Sequence, residues 1–129
     1  MKKTKQKVNA AIIIIGNEIL SGRTQDVNVA SISNWLNQLG VSLQEVRIVP
    51  DIEKTIIKTV KEMYKKFTYI FTTGGIGPTH DDITSKSISK VFNMSYGYHE
   101  KAYKLLEKYY GKENFTPGRK KMAMIPKKA

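Results

Sequence analysis

Cysteine is absent from the 129 residues. That excludes disulfides, thiolate metal sites, iron–sulfur clusters and a cysteine nucleophile. Aromatics are scarce at 9%, and Tyr109, Tyr110 and Phe115 read as core or surface, not as a base-stacking platform. Long apolar runs are missing. The longest, Ala10–Ile15, has six residues, against the roughly 20 of a membrane-spanning helix. Lys2, Lys3, Lys5 and Lys7 imitate the start of a signal peptide. The run behind them is shorter than the roughly 7–15 residues of a signal core, and Gly16-Asn17-Glu18 stands where a cleavage site would be. A cytoplasmic protein with no membrane partner is expected. Arginine is also rare: the net charge of +11 comes from 22 basic residues, of which only Arg23, Arg47 and Arg119 are arginine. Arginine is the residue favoured for bidentate phosphate and base-edge contacts. The charge therefore reads first as a lysine-rich solvated surface, and a nucleic-acid-binding module ranks third among the function classes.

What is present suits one globular domain. Apolar residues make up 40% and charged residues 26%, ordinary for a soluble chain that buries about two-thirds of its unfolded surface. Residues 1–8 read as a basic, disordered N-terminus and residues 9–129 as the domain.

Ala10–Ile15 is β-branched and continuous, as in a strand buried on both faces of a parallel sheet. Residues 16–25 read as a loop. Asp26 caps a helix with Val29, Ile32, Leu36 and Leu39 inward and Gly40 as its stop. Val41–Val49 is a second strand. Asp51 caps a helix with Ile52, Ile56, Val60, Met63 and Phe67 at helical spacing. Tyr69–Thr72 is a third strand, Gly74–Asp82 a glycine-rich loop, and Thr84–Phe92 a helix burying Ile83, Ile88, Val91 and Phe92. His99–Tyr110 is a further helix with Ala102, Leu105, Leu106 and Tyr109 on one face. Pro117 opens a helical turn, and Met122–Ile125 leads to a last strand. Alternating strands and helices predict an α/β fold, a three-layer α/β/α sandwich around a mostly parallel sheet. Such sheets bind ligands beyond the carboxyl ends of their strands. There lie the loop from Gly16 to Gln25, Pro50-Asp51 and the loop from Thr73 to Asp82.

Three glycines in four positions, Gly74, Gly75 and Gly77, open backbone conformations closed to other residues and let ligand atoms reach main-chain N–H groups. Next to a helix start they form an anion cradle for phosphate. No Gly-Lys-Ser/Thr follows, so this is not a Walker loop, nor is it the dinucleotide fingerprint. Asp81 and Asp82 beside an anion make sense if Mg²⁺ bridges carboxylate and phosphate. Asp51 and Glu18 stand at neighbouring strand ends. His80 reads as a loop residue and His99 as a helix start.

The run from Gly16 to Gly22 with Asn28, the Pro50-Asp51 turn and the run from Thr72 to Thr84 together resemble the molybdopterin-binding domain. The likeness is to the N-terminal domain of the CinA type and extends from about Asn9 to the last residue. The resemblance implies a three-layer fold and a trimer. It implies binding of molybdopterin or a nucleotide with Mg²⁺, a link to molybdenum cofactor biosynthesis, or an ADP-ribose pyrophosphatase activity. It makes Asp51 and Asp82 the essential acids and metal ligands. Gly16, Glu18, Gly22, Asn28, Thr73, Gly74, Gly75, Gly77, Pro78, Thr79, Asp81 and Thr84 fall to the ligand. Gly118 departs from the family's Pro-x-Asn-x-x-Arg segment, in which Arg119 is kept. The family continues beyond the Pro126-Lys127-Lys128-Ala129 segment, so the domain is expected to be incomplete at its C-terminus.

Overall fold

The apolar run becomes the middle of the sheet. In the computed structural model, which describes residues 7–129, β1 (Asn9–Ile15) pairs in parallel with β2 (Ser42–Val49) on one side and β3 (Tyr69–Thr73) on the other. The expected disordered N-terminus lies outside the described residues except for Lys7 and Val8, and the Val8 carbonyl already accepts the Ser42 amide at 3.2 Å. Central placement explains the composition of β1: flanked by strands and covered on both faces, Ala10–Ile15 is buried throughout.

Register sorts the two faces. Ala11, Ile13 and Ile15 point into one core with Val49 and with Ile56, Val60 and Met63 of α3 (Glu53–Tyr64). Ile12 is in register with Phe71, which meets Trp35 edge-on at 6.4 Å between ring centroids. Trp35 belongs to α2 (Asn28–Gln38), whose Leu36 is fully buried. So α2 covers one face and α3 the other, the layered α/β arrangement the pattern predicts. The helix α4 (Thr84–Val91) runs beside α3, and Lys90 meets Glu53 at 2.6 Å.

The structure corrects several element readings. A short helix, α1 (Asn17–Leu20), replaces part of the expected loop after β1. The innermost residues of α4 are Thr84, Ser87 and Ser89, while Ile83, Ile88 and Val91 are half-buried and Phe92 is 40% exposed. The hydroxyls of Ser87 and Ser89 donate to the Ile83 and Lys86 carbonyls, so close packing costs no unpaired polar group. A strand not expected, β4 (Tyr96–Tyr98), pairs antiparallel with β5 (Met124–Pro126). In α5 (Glu100–Tyr110) His99 is the N-cap, as expected, its ring nitrogen accepting the Ala102 amide at 3.2 Å. The inward face is Tyr103, Leu106 and Tyr110, not Leu105 and Tyr109, which are 64% and 81% exposed. Pro117 does open a helix, α6 (Pro117–Lys121), capped by the Thr116 hydroxyl.

The sheet order β2-β1-β3 positions the site. From β1 the chain goes to β2 on one side and then crosses back to β3 on the other. The carboxyl tips of β1 and β3 therefore flank a topological switch point, where open α/β sheets form a crevice.

Candidate functional site

The tip of β1 is clasped to the tip of β2. Gly16 donates its amide to the Val49 carbonyl at 3.0 Å. The Asp51 carboxylate accepts the Asn17 amide at 3.1 Å, and the Asp51 amide donates to the Asn17 side-chain oxygen at 3.3 Å. This overturns the expected role of Asp51 as a helix cap: α3 begins after Ile52 and has no side-chain cap. Asp51 instead joins two strand ends.

Beyond Asn17 the chain closes on itself. The Thr24 amide reaches the Glu18 carbonyl at 3.1 Å, and Gly22 donates to the Ile19 carbonyl at 3.2 Å. The Glu18 side chain folds back over Gly16 and fills the place a Cβ would take there. Asp26 caps as expected, accepting the Asn28 and Val29 amides at 3.3 and 3.0 Å.

The loop after β3 starts with two residues in the left-handed region, Gly74 and Gly75 at φ 87° and 67°. A side chain on Gly74 would overlap the Ile15 carbonyl, and one on Gly75 the Thr84 hydroxyl. The turn needs glycine at both positions for its conformation and for its close approach. Thr84 holds it from behind: the hydroxyl donates to the Gly74 carbonyl at 2.8 Å and the amide to the Gly75 carbonyl at 3.0 Å. Thr84 is buried and shapes the turn from within. Among the described residues the Gly75 and Ile76 amides donate to no acceptor.

Further along, Asp82 organises its own loop. One carboxylate oxygen accepts both the Thr79 amide and the Thr79 hydroxyl, at 2.9 and 2.8 Å. Partial burial pushes the Asp82 pKa up. The Thr79 hydroxyl and amide, the Gly77 amide and the charge of Lys121 together outweigh this and hold it below the usual carboxylate range. Lys121 also donates to the Thr79 carbonyl at 2.6 Å, so α6 braces the loop. Gly118 lies directly against the Pro78 carbonyl. Asp81 stands apart on the surface beside His80, 3.2 Å away.

Two cavities open on the two flanks of the glycine turn. A crevice of about 180 Å³ is walled by Glu18, Ile19, Val27, Asn28, Thr73 and Gly74, among others. A second, of about 240 Å³, lies between Gly75, Gly77 and Asp82 on one side and Tyr96, Lys121 and Met124 on the other. The structure thus gathers Glu18, Asn28, Thr73 and Gly74 in one crevice and Gly75, Gly77 and Asp82 in the other. Among the described residues Asp51 and Asp82 share no hydrogen bond, and Asp51 lines neither of these two crevices. Sequence reasoning missed Lys121, Tyr96 and Ser85, which come from α6, β4 and α4. The only sequence signal was the Pro117 helix start that delivers Lys121. Burial pushes the Tyr96 hydroxyl pKa up.

Larger hollows lie elsewhere, about 540 Å³ between the start of α5 and the last residues, and about 640 Å³ along the lysines of α3. Neither touches a loop at the carboxyl end of β1, β2 or β3, so size alone does not mark the site. Among the described residues no helix is long and apolar enough to cross a membrane.

The family model described as "Probable molybdopterin binding domain" matches residues 11–128. A protein of Sulfurisphaera tokodaii is 40% identical over 121 residues, 92% of this chain and 46% of that one. A CinA-like protein of Flavobacterium psychrophilum is 33% identical over 125 residues, 94% of this chain and 30% of that one. The chain thus spans less than half the length of these curated relatives. Among solved structures, the protein CinA of Thermoplasma acidophilum superposes with a TM-score of 0.87 at 34% identity, covering 95% of this chain and 73% of that one. The tungsten cofactor synthesizing protein MoaB of Pyrococcus furiosus shares the fold, with a TM-score of 0.62 at 21% identity over 86% of this chain and 69% of that one. With the switch-point crevice, the glycine turn and these likenesses in place, the chain belongs to the molybdopterin-binding domain family, as a single domain of the CinA N-terminal type.

Proposed function

We propose that this domain binds a phosphorylated pterin or nucleotide across the carboxyl tips of β1 and β3. The observation that carries the reading is the left-handed Gly74–Gly75 turn at the switch point, whose Gly75 and Ile76 amides have no acceptor among the described residues. Amides arranged in this way beside a helix start suit a phosphate. Phosphorylated pterins are the ligands the family's name points to, and a link to molybdenum cofactor biosynthesis follows from the same reading. Assembly as a trimer belongs to it too, and light scattering of the purified domain would check it.

The side chains fit a magnesium ion held partly by its ligand. Among the described residues no group of three or more His, Asp or Glu is gathered for a metal. Mg²⁺ commonly makes do with one or two carboxylates plus substrate phosphate. Asp82 beside the glycine turn, or Asp51 at the clasp, would supply one such carboxylate; bound there, the ion would neutralise phosphate charge.

Calorimetry with molybdopterin, ADP-ribose and ATP, each with and without MgCl₂, tests the reading. Binding of at least one, strengthened by Mg²⁺, is expected; absence of binding by all three would overturn it.

A second reading, a metal-dependent ADP-ribose pyrophosphatase, is favoured by one observation: Asp82 is held ionised beside the glycine turn. An ionised carboxylate there suits a metal-activated water attacking the pyrophosphate. Release of AMP from ADP-ribose, lost in Asp82→Asn and Asp51→Asn, is the expected result. AMP release that persists unchanged in both variants removes the assignment.

A further inference from the structure

The two edges of the sheet are defended differently. β2 carries the devices that keep an edge from pairing with another chain. Gln44 is bulged out of its ladder, since Ala10 pairs with Leu43 and Ala11 already with Glu45. Glu45 and Arg47 add charge, and Arg47 meets both Glu45 and Glu62 at 2.7 Å. β3 has none of these. Its sequence, Tyr69-Ile70-Phe71-Thr72-Thr73, holds no charge and no proline, and its register with β1 is unbroken. Among the described residues it pairs with β1 alone. One row of its backbone N–H and C=O groups is therefore open to a further strand.

Apolar side chains flank that open edge on both faces of the sheet. On the α2 side Tyr69 is exposed, and Phe71 is half-buried against an exposed Trp35. On the α3–α4 side a hollow of about 320 Å³ lies between Val60, Tyr64, Ile70, Thr72, Ile88 and Phe92, with no charged residue lining it. The rings of Tyr64 and Phe92, both exposed, meet edge-on at 5.2 Å between centroids. In a chain with 22 basic residues, an uncharged strand edge between two apolar lips is out of keeping with the rest of the surface.

The strand is complementary to itself. Antiparallel pairing about a two-fold axis at Phe71, the middle of its five residues, sets Phe71 opposite Phe71, Ile70 opposite Thr72 and Tyr69 opposite Thr73. These are aromatic and β-branched pairs, the favourable kinds, and no like charges face each other. Such a contact is isologous: each copy offers the surface it receives, so pairing closes at two. We propose that β3 is a docking edge for a second copy of this chain, joining two three-stranded sheets into one and bringing the two α3–α4 faces side by side. The pairing stands apart from ligand binding at the strand tips. The charge of +11 on each copy opposes any contact between them, and salt screens that repulsion.

Light scattering of the full chain after size exclusion, over a range of concentration and salt, tests this. Wild type should contain an even number of copies, two, or six if a three-fold contact also forms, and the assembly should strengthen with salt. Monomers alone at the highest concentration overturn the proposal and leave the edge to a strand of another protein. Trimers alone overturn it too, as does assembly that weakens with salt, the mark of a bridging polyanion. Thr72→Lys puts a charge on the exposed edge and should halve the mass. Val46→Lys, the same kind of change on exposed Val46 of β2, should leave it unaltered; the reverse pattern overturns the assignment. Should Thr72→Lys fold poorly in thermal melting, Tyr64→Lys alters the lip from a helix and should also halve the mass. The chain has no cysteine, so Phe71→Cys reads the register directly. Opposed residues of an antiparallel pair have Cα atoms about 4.5 or 5.5 Å apart, within disulfide reach, and mild oxidation should give a covalent dimer. A Phe71→Cys chain that assembles in even number yet does not cross-link overturns the pairing through β3.

Discussion

The loop after β1 and the loop after β3 leave neighbouring strand tips and handle their carboxylates in opposite ways. In the second loop Asp82 gathers the Thr79 hydroxyl and amide and stands beside Lys121, which itself holds the Thr79 carbonyl. In the first loop backbone bonds close the turn, with a bond from the Ser21 hydroxyl to the Glu18 carbonyl, and the Glu18 carboxylate accepts no hydrogen bond among the described residues. An acid surrounded by donors of its own chain is architecture before it is anything else. An acid with no such donors, folded over Gly16, contributes little to closing its own loop. Two carboxylates on the two flanks of one glycine turn thus play different parts, and only their partners reveal which.

The contrast can be broken experimentally. Gly74→Ala should be the most damaging change, because the turn combines a left-handed backbone with the Ile15 carbonyl at the Cβ position. A cost of about 3 kcal/mol follows from the two effects, seen as a drop of about 10 °C in thermal midpoint. Gly22→Ala, also left-handed but facing open space, should lose only about 1 kcal/mol; equal losses would show that the close approach does not matter. Next comes Asp82→Ala, which strands the Thr79 donors at a partly exposed site and should cost about 1–2 kcal/mol in urea unfolding. The pH dependence has a definite sign. The folded pKa of Asp82 is depressed, so its stabilisation is present above the ordinary Asp range near pH 4 and is lost as the solution is acidified through the lower folded value. In Asp82→Asn that part of the acid-side decline should vanish; an unaltered acid limb would contradict the hydrogen-bonded role. Asp51→Ala removes a single exposed bond to the Asn17 amide and should cost about 0.5–1 kcal/mol, with a larger effect on Mg²⁺-dependent ligand binding. Glu18→Gln should be nearly silent, within about 0.5 kcal/mol. A larger loss would mean that Glu18, like Asp82, serves the fold.

Much of this was legible from residue patterns. Six consecutive apolar residues with β-branched character admit little but a doubly covered strand, and the lysine-faced periodicity of Ile56, Val60 and Met63 leaves no doubt about α3. The glycine turn was visible because three glycines so close together have few other uses. The rest was hidden for identifiable reasons. Three residues are too few to show alternation, so β4 exists only through its partner β5. In α5 the doublets Leu105-Leu106 and Tyr109-Tyr110 fit two helical phases equally, and packing of Tyr103 on Phe115 at 4.9 Å between ring centroids selects one. Asp51 before a helix looks like a cap; a contact with Asn17, 34 positions away, is beyond any local window. Lys121 and Tyr96 enter the site through chain reversal, and spacing does not encode that.

The central strand has one further effect. Because Ala10–Ile15 is sealed by a neighbour on each side and a helical layer above and below, its amide protons should be the slowest in the molecule to trade with solvent. The ladder there opens only when the entire domain comes apart. Both loops at its tips hang from that slow scaffold, so their local opening should run faster than the unfolding of the domain.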